Sequence, residues 1–186
     1  EAMLAMTSKH FGCTGVVSAD GVLAGIITDG DLRRHMSPEL TTLPVTQVMT
    51  ARPVTLGARA MVIDADERVL LVRHTYVPGW HLPGGGVEPG ETALDCVIRE
   101  VREEGNVVVD GEMVLHGLFH NNGASRRDHV AVYVCRTITR RAPKRPDREI
   151  AAADFFAHDG LPEGTTPATR RRIEEWRTGH PPAARW

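Results

Sequence analysis

Three glutamates, Glu100, Glu103 and Glu104, crowd into the stretch REVREEGN, and a loop with three consecutive glycines, LPGGGVEPGE, lies just ahead of them. No other feature constrains the chain as tightly. Thr92 and Asp95 have the spacing of a capping box, which predicts a helix starting directly after the glycine loop. Leu94, Val97, Ile98 and Val101 then make the apolar stripe expected to face the core. The glutamates, at i, i+3 and i+4, share another face. In isolation that arrangement is unfavourable: like charges at this spacing repel by ~0.2–0.5 kcal/mol per pair. Acids in a last helical turn also oppose the helix dipole, by ~0.3–1 kcal/mol each. Two readings follow. One is a solvated acidic face neutralised by Arg99 and Arg102. The other is a cation site, in which hard carboxylate oxygens hold Mg²⁺ or Mn²⁺ and leave positions open for phosphate oxygens and water. The glycine loop favours the second, because backbone free of side chains lets a phosphate or metal approach closely ahead of a helix N-terminus.

The same residues resemble the signature of the Nudix hydrolases: Gly, five residues, Glu, seven residues, Arg-Glu, an aliphatic residue, any residue, Glu-Glu, any residue, Gly, an aliphatic residue. Gly85, Glu91, Arg99, Glu100, Val101, Glu103, Glu104 and Val107 all fall in register. One position departs: Asn106 stands where the signature has its last glycine. Asn is the residue that next best tolerates the left-handed backbone expected there. The resemblance covers about residues 57–175. It implies an α+β fold, a Nudix-type mixed β-sheet sandwiched between helices, and metal-dependent attack by water on a diphosphate bond in a nucleoside diphosphate linked to another moiety. It further implies Glu103 and Glu104 as the main metal ligands, Glu100 as a further ligand or general base, and the Gly85 carbonyl as an additional ligand. Glu91 is implied to pair with Arg99 and steady the loop against the helix. Arg126, Arg127, Glu149 and Trp80 are weaker candidates for substrate contact, and the resemblance places Glu149 where the family often carries a further acid near the metals. Against these stand plainer readings: Trp80 as a packing residue, the two arginines as solvated, and Glu149 as a surface acid. Cys96 reads as a small packing residue, and Arg170 to Arg172 as a solvated helix face.

The leading segment reads as a helix over Ala2 to Lys9, a hairpin in GVVSADGVLAGIIT, a short helix capped by Asp29 or Asp31, and an extended tail through two prolines. With GIITDGDL as its most telling part, residues 1–56 resemble a CBS repeat of the kind at the C-terminal end of arabinose-5-phosphate isomerases. The resemblance implies a small, incomplete α-β-β-α unit in which Thr28 and Asp31 would hold an adenine nucleotide. CBS repeats work in pairs, so a lone one reads as a half-module that pairs across a homodimer, as a retained remnant that only packs, or as the end of a longer natural chain; its apolar faces want a partner, which favours the homodimer. The expected organisation is a partial CBS repeat at 1–56, a Nudix domain at 57–178 and a frayed tail at 179–186.

In the larger segment, RAMVIDADERVLLVRH reads as strand, acidic turn, strand. Residues 107–109, 113–119 and 129–136 read as further strands, with His116 to His129 supplying a polar loop. A last helix starts at Thr165 or Thr166, before Pro167. With 22 Lys and Arg against 24 Asp and Glu, the net charge of −2 supplies no field for nucleic acid or an anionic membrane. Cys13, Cys96 and Cys135 fit neither a disulfide framework nor a zinc knuckle, which points to a reducing, cytoplasmic setting. No membrane span or signal peptide is expected, and the opening EAMLAM reads as the middle of a helix, which points to missing upstream sequence. Two functions compete: a Nudix pyrophosphohydrolase using Mg²⁺ or Mn²⁺, and an adenine-nucleotide-binding regulator whose Nudix fold does not hydrolyse. A pure binder has no need of the full set of glutamates, which favours the enzyme.

Overall fold

Thr28 ends the first hairpin and starts the first helix. Its hydroxyl accepts from the Asp31 N–H at 3.2 Å, and the Asp31 carboxylate accepts from the Thr28 N–H at 2.8 Å. This capping box makes Thr28, not Asp29 or Asp31, the N-cap. The structure is a computed structural model that describes all residues except 1, 2, 5, 7–12, 20, 22, 52–54, 89 and 124–126. It forms two compact units: residues 1–55 with 121–128, and residues 56–120 with 129–186.

In the first unit, β1 (Cys13–Val17) and β2 (Leu23–Thr28) are antiparallel, with Cys13 opposite Thr28, and β3 (Thr50–Ala51) pairs with β2. Helix α1 (Asp29–Arg34) follows β2. The tail expected to be extended carries a helical turn, α2 (Val45–Val48), because Pro44 at its N-cap already has the fixed φ that a helix start accepts. Met6, Ile27 and Val48 form a small buried core. Most of the expected first helix lies outside the described residues, although Met3, Leu4 and Met6 are helical.

The second unit is α+β. Its strands are β4 (Thr55–Val62), β5 (Arg68–His74), β6 (Gly84–Gly86), β7 (Val107–Val109), β8 (Met113–His120), β9 (Asp128–Cys135), β10 (Ile138–Arg140) and β11 (Ile150–Ala157). The main sheet has the order β6-β4-β9-β8, β5 pairs antiparallel with β11, and β7 pairs antiparallel with β10. Helices α3 (Ala93–Gly105) and α4 (Pro167–Thr178) complete it. The run from Ala60 to Ile63 is apolar throughout because both of its faces are covered. Ala58, Ala60 and Val62 join Cys96, Val97 and Val101 of α3 in one core. Met61 and Ile63 join Phe119, Val132 and Ile173 of α4 in another. Among the described residues, no helix is long and apolar enough to cross a membrane.

Four further expectations are corrected. The strands flanking the acidic turn do not remain paired as a hairpin: beyond the Ile63–Val69 bridge, β4 enters the main sheet and β5 pairs with β11. His116, His120 and His129 belong to β8 and β9 rather than to a loop. Arg172 is not solvated but fully buried, its guanidinium 4.0 Å from the Phe119 ring and 2.7 Å from Glu175 Oε1. Thr169, Arg172 and Ile173 share the inward face of α4, at i, i+3 and i+4, so a run of three arginines must turn one of them inward. Arg172 also donates to the Arg185 carbonyl at 3.0 Å, and the Trp186 N–H donates to the His120 carbonyl. Trp186 packs edge-on against Phe119. The end of the chain is therefore seated on the unit rather than frayed.

Gly105 closes α3 against β5, since a Cβ there would stand 2.5 Å from Leu70 Cδ2. Gly105→Ala is expected to destabilise the fold by ~1–3 kcal/mol through overpacking, and Leu70→Ala by ~2–5 kcal/mol through a cavity. Urea denaturation of both single variants and the double should give a double-variant cost below the sum of the singles. Strict additivity would show that the two residues do not press on one another.

Candidate active site

Helix α3 has the limits its sequence predicts. The Thr92 N–H and hydroxyl donate to Asp95 Oδ2 at 3.0 and 2.7 Å, and the Asp95 N–H donates back to Thr92 Oγ1 at 3.1 Å. At the other end Asn106 takes the left-handed conformation, φ 52° and ψ 40°, and its side-chain amide donates to the Ala142 carbonyl at 2.7 Å. The apolar stripe is shifted from expectation. Leu94 and Ile98 are exposed, and the inward seam runs Val97, Val101, Glu104, at i, i+4 and i+7. A carboxylate occupies the last inward position, and the glycine strand is what makes room for it.

Strand β6 pairs with β4, with Gly84 opposite Arg59 and Gly85 opposite Ala58. A Cβ on Gly84 would overlap the Ala58 carbonyl, and one on Gly85 would overlap the Glu100 carboxylate. Gly84 also holds a φ of 143°, which side chains rarely adopt. With no side chain in the way, the Gly84 N–H donates to Glu104 Oε2 at 2.8 Å. The Arg59 guanidinium donates to the Gly84 carbonyl. Glu104 is 4% exposed, and burial pushes its carboxyl up to about 7. Burial also raises the Glu100 carboxyl, against the pull of Arg99.

Arg99 organises the outer part of the cluster. It donates to Glu91 through Nη2 at 2.9 Å and Nε at 3.3 Å, to Glu100 at 2.8 Å, and to Glu103 at 3.4 Å. The hydrogen bonds from Arg99 hold the Glu91 carboxyl below its usual range. Glu91 in turn accepts from the Glu88 N–H at 2.7 Å, so the loop is tied to the helix. Glu103 is about half exposed and turned towards Arg99 and Arg102. The acidic face is thus split, with Glu104 inside, Glu100 half-buried and Glu103 outside.

Sequence reasoning missed the neighbour of Glu104. His74, at the end of β5, places Nδ1 3.5 Å from Glu104 Oε1, and both side chains are buried. Glu149 precedes β11, whose Ile150 lies opposite His74, and the donor atoms of His74, Glu104 and Glu149 all lie within 4.8 Å of one another. Burial first, then the charge of Arg59, lowers the His74 imidazole to about 4. The signal in the sequence was period two: Val72 and His74 share the inward face of β5 while Arg73 between them is exposed.

Trp80 packs edge-on against Phe156, ring centroids 5.0 Å apart. Cys96 is fully buried and its thiol is raised to about 11 by burial. Arg126 lies outside the described residues. Arg127 is exposed in the first unit, where its carbonyl accepts from the Thr55 N–H at 3.3 Å. Thr28 and Asp31 are engaged in the cap, and Asp31 also accepts from Thr50 Oγ1 at 3.2 Å and from Arg34. The first unit does hold a cavity of about 480 Å³, lined mainly by apolar side chains such as Val16, Ile27, Leu32, Leu40, Leu43 and Val48.

Residues 53–176 match the family model described as NUDIX domain. A putative 8-oxo-dGTP diphosphatase of Bacillus subtilis (strain 168) is 28% identical over 127 residues, covering 67% of this chain and 81% of that protein. The solved structure of a MutT NUDIX hydrolase from Burkholderia pseudomallei superimposes with a TM-score of 0.56 at 26% identity, covering 64% of this chain and 95% of that one. Arabinose 5-phosphate isomerase KpsF of Escherichia coli is 51% identical over 63 residues, 31% of this chain. The chain spans only 20% of that isomerase's length.

A buried carboxyl whose pKa is raised favours the fold most when protonated. That contribution is complete below about 4.5 and is lost as pH rises through about 7. Glu104→Gln, which keeps an oxygen for the Gly84 N–H, is therefore expected to stabilise the metal-free protein above pH 7, by roughly 3 kcal/mol at most. The gain should shrink towards zero at pH 4.5. Urea denaturation in EDTA at pH 5 and pH 8 measures it, and a gain that is equal at both pH values would contradict this account of Glu104.

Proposed function

This chain belongs to the NUDIX family, and we propose that it is a divalent-cation-dependent pyrophosphohydrolase acting on nucleoside diphosphates linked to another moiety. One observation carries the reading: the buried Glu104 carboxylate and the half-buried Glu100 carboxylate converge on a strand of three glycines. The donor set suits Mg²⁺ or Mn²⁺, both hard cations. A buried, ionisable Glu104 without an Arg or Lys within salt-bridge distance among the described residues, in a cradle that a Cβ would fill, fits such an ion. Glu104, Glu100, Glu103 and the Gly85 carbonyl would hold it. Bound there, the cation supplies positive charge at phosphoryl oxygens and acidifies water.

The chain's own residues do the rest. Arg99 couples Glu91 of the loop to Glu100 and Glu103, which fixes the carboxylates relative to the glycine backbone before substrate arrives. Glu100, half-buried and held by one guanidinium, is the group we assign to orienting the attacking water, with Glu103 alongside it. A recess of about 330 Å³ lined by Arg59, His81, Thr166, Arg171 and Trp186 supports a place for the nucleoside, with cationic groups for phosphate and an indole for stacking. Similarity to a putative 8-oxo-dGTP diphosphatase puts oxidised nucleoside triphosphates on the substrate panel beside ADP-ribose, nucleotide sugars and dinucleoside polyphosphates.

We read residues 1–56 as a lone CBS repeat and residues 57–178 as the hydrolase domain. The similarity to the isomerase segment supports the first assignment and the NUDIX match the second. A lone repeat leaves its apolar face for a second copy, so a cytoplasmic homodimer of twice 20.4 kDa is the assembly we assign. Light scattering behind size exclusion should give that mass, and a monomer at tens of micromolar would remove the assignment.

The activity test is phosphate release from the panel, with phosphatase added and each compound run with Mg²⁺ and with EDTA. At least one compound should turn over only with metal. Glu104→Gln and Glu103→Gln should each reduce kcat by at least ~100-fold, the loss of several kcal/mol of transition-state stabilisation. No metal-dependent turnover on any compound would sink the reading.

A further inference from the structure

From the cluster at the end of β5, we propose that His74 is a direct nitrogen ligand to the cation. The site is then a His74–Glu104–Glu149 set selective for a divalent transition-metal ion over Mg²⁺. This rests on the cation-dependent reading above and deepens it.

His74 is 8% exposed, and among the described residues its buried Nδ1 has no hydrogen-bond partner. A buried polar atom left unmet costs stability, so its persistence requires a partner. The nearest candidate, Glu104 Oε1 at 3.5 Å, is beyond hydrogen-bonding distance. Two ligands of one ion adopt that separation, since each stands ~2.0–2.2 Å from the metal. The third donor is available: Glu149 is exposed, its backbone carbonyl accepts from the Thr75 N–H at 2.9 Å, and its carboxylate accepts from the Tyr76 hydroxyl at a long 3.4 Å.

The chemistry of the set decides which ion. Three oxygens alone suit Mg²⁺, which demands near-octahedral oxygen ligation and gives up water reluctantly. An imidazole nitrogen turns the preference towards first-row transition ions. Glu100 and Glu103, tied to Arg99, keep the ligand roles proposed for them above, and His74 and Glu149 add to that set.

Mn²⁺ is the probe, because it is paramagnetic and also accepts oxygen-rich sites. The metal-free protein is titrated with Mn²⁺ and followed by EPR, and the bound ion is examined by electron spin-echo envelope modulation for directly coordinated ¹⁴N. The wild-type protein should show imidazole ¹⁴N modulation, and His74→Gln should lose it while still binding Mn²⁺ about 10-fold or more weakly; changes around a ligand alone cost ~10–100-fold. Mg²⁺ affinity, measured by competition, should change by less than about 2-fold. Circular dichroism melts of the metal-free variants confirm folding, and His74→Asn serves as a second variant should Gln not fold. Bound Mn²⁺ without ¹⁴N modulation overturns the proposal, as does modulation that survives in His74→Gln or vanishes in His81→Gln. If Glu104→Gln abolishes Mn²⁺ binding while the wild-type shows no modulation, the carboxylate site stands and the histidine ligand falls. If the wild-type protein binds no Mn²⁺ or Mg²⁺ at all, both fall.

Discussion

A hydrogen bond from the Gly84 N–H to Glu104 Oε2, 2.8 Å long and out of water, ties the glycine strand to the last turn of α3. The last turn of a helix is where a carboxylate is least welcome, because the peptide dipoles end there with partial negative charge. Burial adds to that cost. The backbone N–H offsets part of it, and the Arg59 guanidinium on the Gly84 carbonyl places positive charge one residue's width away. Remove the close approach and the bond disappears. The approach exists only because residues 84 and 85 carry no Cβ, so the two glycines and the two inward glutamates are a single packing solution rather than separate features.

The rest of the larger unit holds this contact in register. β6 is a three-residue strand with no side chains of its own, so it cannot bury apolar surface to hold itself down. It is fixed by pairing with β4, which is anchored on both faces: Ala58, Ala60 and Val62 against α3, and Met61 and Ile63 towards α4. The small side chains of Ala58 and Ala60 let α3 come close, and Gly105 lets its end settle on Leu70. Arg99 works from the outside: one guanidinium fixed bidentately on Glu91 also reaches Glu100 and Glu103, so loop and helix cannot move apart without breaking charge-assisted bonds. The glycine strand is tied to β4, to Glu104 and, through Glu91, to Arg99.

Much of this was legible in the sequence, and the limits are instructive. Helix α3 could be placed closely, because the Thr92–Asp95 box and the left-handed tolerance of Asn106 are local signals that need no tertiary information. The α+β character came with the resemblance to the Nudix signature. What sequence could not give was rotation. Glu103 and Glu104 differ by one residue and 100° about the helix, and which of them faces inward depends on how α3 rolls against a sheet whose contacts are long-range. The same ignorance moved the apolar stripe away from Leu94 and Ile98, and made Arg172 look solvated among its neighbours. His74 was missed for another reason. A histidine at the end of LLVRH looks like a strand fraying into solvent, and only the pairing of β5 with β11 brings Glu149 beside it.

His74 and Glu104 face one another at a distance too long for a hydrogen bond and too short for water to be indifferent. A sequence selected for stability alone would place a Leu or Met at either position and fill the space with apolar contacts. Two buried titratable groups with pKa values pushed towards their neutral forms, to about 4 for the imidazole and about 7 for the carboxyl, mark instead a place where the fold has given up stability that a cation would return. The direction of both shifts is the same in physical terms: the protein interior resists charge there, and only an added charge of opposite sign makes the ionised carboxylate favourable. A ligand that binds the folded chain and not the unfolded one stabilises it by mass action. A cation held by Glu104 would therefore couple the folded state to the loaded site through the carboxylate that also fixes the glycine strand.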